Sequence, residues 1–113
     1  MSLNTDRQVA VANELSTKHG LRSEAVAGIL GNIDVETGGT FDFTQKQVGG
    51  GPGRGLFQFE GGHLSAYRNF LARNSLRDSA SHQIDYVINN IFEGQGFDIG
   101  AGNREILRDA FAN

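Results

Sequence analysis

The chain has 113 residues and a mass of 12.2 kDa, with 38% apolar residues and a mean hydropathy of −0.34, values ordinary for a soluble globular protein and too small for two independent cores. No apolar run approaches the roughly 20 residues that span a bilayer; with no cysteine there is no disulfide, thiolate metal site or cysteine nucleophile, and His19, His63 and His82 share no ligand-like spacing. Ten Lys and Arg against 13 Asp and Glu leave a net charge of −3, without the broad positive field that phosphate backbones need. Met1 to Arg7 has no basic flank ahead of an apolar core, so no secretory signal is expected. One domain over residues 1–113 is the reading, without internal repeat or linker.

Nine of the 16 glycines fall between Gly38 and Gly62, so helices are expected on either side of an irregular middle. Val9, Ala12 and Leu15 recur at helical spacing from Asp6 to His19, and Gly20 suits a left-handed helix end. Ser23 is placed to cap a second helix, whose Val26, Ile29, Leu30 and Ile33 continue to Gly38-Gly39. Phe41, Phe43 and Val48, then Leu56-Phe57-Gln58-Phe59, predict two short strands around the Gly49 to Gly55 loop, a small hairpin. That loop has neither the spacing nor the Lys-Ser/Thr of a phosphate-binding loop, leaving a surface loop or a flap. Leu64, Tyr67, Phe70 and Leu71 predict a third helix to about Asn74. Ile84, Val87, Ile88 and Ile91 predict a fourth to Gly94, capped by Ser79 or Ser81. Ile106, Leu107, Ala110 and Phe111 predict a fifth from about Asn103. The expected fold class is α+β, predominantly helical.

The chemistry concentrates at the end of the second helix. Glu36 lies three positions after Ile33 and continues the core-facing side. In the last turn, unpaired carbonyls and partial burial both favour the protonated carboxyl, the environment of a general acid; the alternative is a helix-end glutamate reaching into water. Gly28 and Gly31 sit inside this helix at a cost of roughly 1 kcal/mol each relative to alanine, which close packing or close ligand approach would explain.

The run Gly28-Ile29-Leu30-Gly31-Asn32-Ile33-Asp34-Val35-Glu36-Thr37-Gly38, followed by Gly55-Leu56-Phe57-Gln58-Phe59, resembles the phage tail lysozyme family of lysozyme-like peptidoglycan hydrolases. In that family a Gly-Ile-Leu-Gly-Asn-Ile helix and a Glu-Ser pair precede a Gly-Leu-x-Gln-Trp element. Gln83-Ile84-Asp85-Tyr86-Val87 is similar to its late Gln-x-x-aromatic segment, and the likeness covers roughly Leu21 to Glu93. It implies a two-lobed lysozyme-like domain with Glu36 as the catalytic acid of a muramidase. Such an enzyme cleaves the β-1,4 bond between N-acetylmuramic acid and N-acetylglucosamine. Thr37 stands where the family usually has Ser and keeps a hydroxyl, and Phe59 where it usually has Trp, keeping a stacking face but losing the indole donor; the resemblance makes both substrate-binding candidates.

A glycosidase normally sets a second carboxylate across the scissile bond, about 5 Å away as nucleophile or roughly 6.5–9.5 Å away to activate water. Glu60 follows the Gly-Leu-x-Gln-x element, where goose-type lysozymes carry an aspartate, and ranks first. Asp42, between two phenylalanines, is its rival, and Asp34 points to a different helix face. A lytic transglycosylase, giving 1,6-anhydro products, needs no second carboxylate. Gln58 is a candidate for hydrogen bonds to sugar or acetamido groups, or else a structural amide. Tyr86 and Asn90, four apart on one helix, share a face that would line a cleft or simply pack. His63 reads as a helix-start residue rather than a base.

No metal or cofactor is implied. The expected partners are peptidoglycan glycan strands and other phage tail or virion proteins, and the expected location is the virion or the bacterial wall. Leu15 to Val26 also has the turn glycine of a helix-turn-helix, but a second helix carrying Glu24, Asp34 and Glu36 with no basic residue after Arg22 argues against DNA. A catalytically inactive wall-binding module is the remaining alternative.

Overall fold

A computed structural model describes residues 2–47 and 49–93; the expected fifth helix, 103–111, lies outside the described residues. Four α-helices run in the order α1 (Leu3–Asn13), α2 (Ser23–Thr37), α3 (Gly61–Arg73) and α4 (Ala80–Glu93), so the described fold is predominantly helical.

Ser2 caps α1, its Oγ accepting the Thr5 N–H at 3.1 Å. After Asn13 the chain widens into a π-helical turn, Glu14–Lys18. The Thr17 hydroxyl donates to the Asn13 carbonyl at 2.5 Å, a side-chain bond back onto the preceding turn. Leu15, in this turn, is completely buried, and Gly20, at φ 65°, ends the segment where the sequence put its stop. Arg22 rather than Ser23 holds the N-cap position of α2, in extended conformation and without a side-chain cap bond. At the far end Gly38 takes the left-handed φ of 62° that L-residues resist, and the Gly39 N–H closes onto the Asp34 carbonyl at 2.9 Å. Ser79 Oγ accepts the His82 N–H at 3.0 Å and so caps α4.

The two expected strands are replaced, among the described residues, by turns and two isolated bridges, Lys46 with Arg54 and Arg54 with Phe59. Extended pairing fails for a local reason: Phe41 and Gln58 both adopt φ 51°, and Gly55 adopts 84°. Gly55 is also sterically required, since a Cβ there would lie 2.6 Å from Gln83 Oε1. Gly28 and Gly31 have no such reason. Neither would bring a Cβ within 4 Å of another described group, so close packing does not explain them.

One apolar cluster joins Val11 and Leu15 to Ile29 and Ile33 of α2, to Leu56, Phe57 and Phe59 of the connecting segment, and to Tyr67 of α3 and Ile84 of α4. The middle segment is therefore a core element, and its glycine-rich turns are anchored by buried aromatics.

Candidate active site

Glu36 lies about three turns after Ala25 and about two after Ile29, both buried, so its side chain leaves the core-facing side of α2. It does so in the last turn, where the core has ended; the buried position there belongs to Thr37, and Glu36 is exposed. Its carboxyl is nevertheless raised above the ordinary glutamate range, first by partial removal from water and second by the negative charge of Glu60. A carboxyl so placed holds its proton to higher pH than a free glutamate, as a proton donor requires.

Glu60 occupies the N-cap position of α3 in extended conformation, exposed, with its carbonyl accepting the His63 N–H at 3.1 Å. Its position is fixed by the residue before it. Phe59 exchanges two backbone bonds with Arg54, at 2.8 and 3.0 Å, and its ring lies 4.9 Å from Tyr67 and 5.8 Å from Tyr86. The fold thus brings Glu36 and Glu60 close enough for their charges to interact, although 24 positions separate them in the chain.

Asp42 is held differently. Its Oδ1 accepts the Thr44 N–H at 2.9 Å and the Thr44 hydroxyl at 2.7 Å, and Arg7 lies 3.8 Å from Oδ2. The Thr44 hydroxyl, the Thr44 N–H and the Arg7 charge keep this carboxyl below the ordinary aspartate range against a smaller opposing effect of burial. It faces a hollow of about 250 Å³ with Arg7, Glu14 and Phe41.

The expected sugar-contacting residues whose side chains are described are engaged within the fold. Thr37 is buried, donating to the Ile33 carbonyl at 2.8 Å and accepting the Phe41 N–H at 3.1 Å, so its hydroxyl ties the end of α2 to the next segment. Phe59 and Tyr86 are buried in the aromatic cluster, 2% and 7% exposed. Gln58 donates to the Gly55 carbonyl at 2.7 Å and the Gln45 carbonyl at 3.2 Å, the bonds of a structural amide. The side chain of Asn90 lies outside what is described. His63 sits in the first turn of α3.

Gln83 opens the Gln-x-x-aromatic segment, whose pattern alone assigns it no role. It is 2% exposed and forms three bonds: Oε1 accepts the Leu56 N–H at 2.9 Å, while Nε2 donates to the Phe43 carbonyl at 3.0 Å and to Asp78 Oδ1 at 3.1 Å. Gln83 therefore fastens both ends of the middle segment to α4. The signal was there: a glutamine one position before Ile84 in an otherwise apolar stripe. Beside it, Tyr67 donates to Asp78 Oδ1 at 2.6 Å, and burial, then Asp78, push the phenol well above its ordinary range. Arg54, Phe59, Tyr67, Arg68, Asp78 and Gln83 are among the residues lining a hollow of about 300 Å³.

The family model for phage tail lysozyme matches residues 6–104. The chain belongs to the phage tail lysozyme family, a family of lysozyme-like peptidoglycan hydrolases. No curated protein and no solved structure matches it significantly.

Proposed function

We propose that this family member is a muramidase that hydrolyses the β-1,4 bond between N-acetylmuramic acid and N-acetylglucosamine, with Glu36 as general acid and Glu60 as the second carboxylate. The observation that carries the reading is the pair itself: a Glu36 carboxyl raised by partial removal from water and by the charge of Glu60. Glu36 protonates the glycosidic oxygen as it leaves. Glu60, exposed at the start of α3, supports the oxocarbenium-like state or orients the attacking water. The glycan lies across the surface between the end of α2 and the start of α3. Asp42 is less suited, because its oxygens are already engaged by Thr44 and Arg7. Thr37, Phe59, Gln58 and Gln83 are supporting residues that set the two glutamates in place. The family description also supports action as a phage tail component at the bacterial wall.

Mass spectrometry of digested peptidoglycan tests the proposal. Reducing N-acetylmuramic acid ends are expected. Products ending in 1,6-anhydro sugars would make the chain a lytic transglycosylase that uses Glu36 without Glu60. An absence of glycan cleavage by the folded chain would make it a wall-binding module.

A further inference from the structure

The π-helical turn and α4 meet at a group of charged side chains away from the glutamate pair. Glu14, His19 and Asp85 each bring one ligand atom to within 4.8 Å of the others. His19 Nε2 and Asp85 Oδ1 lie 2.9 Å apart, but both atoms are shielded from solvent and neither has a hydrogen-bond partner among the described residues. An N and an O at that spacing, without an N–H aligned between them, lie close to the separation of adjacent ligands on one ion. With bonds of roughly 2.0–2.2 Å to zinc, neighbouring donors fall about 3–3.5 Å apart, so the pair opens by only a few tenths of an ångström to take the ion. A cation already stands at the edge of the group: Lys18 Nζ is 2.9 Å from Asp85 Oδ2 and 3.4 Å from Glu14 Oε1. Two carboxylates against one ammonium leave a negative charge. The Ser81 hydroxyl, bonded to Glu14, orients that carboxylate from the α4 side.

We propose that Glu14, His19 and Asp85 form a binding site for one divalent transition-metal ion, Zn²⁺ fitting best, that clamps the π-helical turn to α4. One imidazole and two carboxylates are a borderline donor set that zinc accepts with water in the fourth position, whereas Mg²⁺ and Ca²⁺ favour oxygen alone. Binding requires the Lys18 ammonium to swing into solvent, toward which its half-exposed side chain already reaches. The clamp is independent of the peptidoglycan chemistry, since neither Glu36 nor Glu60 belongs to it.

The test is a calorimetric titration of untagged, metal-stripped full chain with Zn²⁺, with bound metal counted by native mass spectrometry. One Zn²⁺ per chain is expected. Asp85→Asn and His19→Gln each weaken binding by at least about tenfold, a minimum by comparison with the 10–100-fold typical of residues that only orient ligands. Lys18→Met tightens it by removing the competing charge. The double variant His63→Ala, His82→Ala leaves His19 as the sole imidazole and must bind as the parent does, which keeps the test decisive if a His19 variant fails to fold. Absence of saturable one-to-one binding in the parent would overturn the site, as would loss of binding in the double variant or weaker binding in Lys18→Met.

Discussion

Replacing Gln83 by leucine tests how the middle segment is held, and the structure sets the size of the effect. Leucine has nearly the same volume, so the change opens little cavity and its cost comes from the polar groups left behind. The Leu56 N–H, inside a residue with 0% exposure, loses the Gln83 oxygen that accepts it, and an unmet buried donor costs about 1–3 kcal/mol. The Phe43 carbonyl sits in a half-buried residue and recovers part of its loss from water, so its share is about 0.5–1.5 kcal/mol. Asp78 is exposed and retains the Tyr67 hydroxyl, so its share is small. The total is about 1.5–4.5 kcal/mol, which lowers the melting temperature by roughly 7–20 °C in a domain near 100 residues. Thermal unfolding followed by far-ultraviolet circular dichroism, with urea titration for the free energy, measures it. Wall-lysing activity should fall well below the melting point as well, because Glu60 rides on the segment that Gln83 anchors. A loss under about 1 kcal/mol with full activity would refute this account of the glutamine.

Glu36→Gln should reduce wall lysis at least about a hundredfold while leaving the melting curve near that of the parent, because the exposed side chain contributes little packing. Activity in the parent should decline as pH rises through the Glu36 value, which lies above the ordinary glutamate range, so the basic limb falls at higher pH than a free carboxyl would give. Glu60→Gln should remove most activity and, by deleting one of the two causes of the Glu36 shift, move any residual basic limb to lower pH; an unmoved limb would separate the two groups. Asp42→Asn should leave turnover largely intact and act on stability instead. The folded carboxyl lies below its ordinary value of 3.8, so its stabilisation is present above that value and is lost as pH falls through the folded one; the variant should lose less stability on acidification than the parent.

The helices were legible because their cores are periodic and local: Ile29 and Ile33, or Ile84, Val87 and Ile88, define a face without reference to anything distant. The middle segment was not. Phe41 to Phe43 and Leu56 to Phe59 alternate as strands do, but their backbone is set by left-handed φ values and by Gln83, an anchor more than 20 residues farther along the chain. Glu36 was legible as a core-side carboxyl, while the consequence of its being in the last turn was not, since only the fold shows that Thr37 takes the buried place. The same reasoning separates the charged groups. No spacing in the sequence relates His19 to Asp85, and only the likeness to lysozyme motifs relates Glu36 to Glu60; each pair exists because one apolar cluster draws α1, α2 and α4 onto the aromatic middle. Substitutions that loosen that cluster should therefore disturb both groups together. Leu15→Ala, at a fully buried position in the π-helical turn, is the sharpest case: it should cost about 2–5 kcal/mol and weaken zinc binding and wall lysis alike, although Leu15 belongs to neither site.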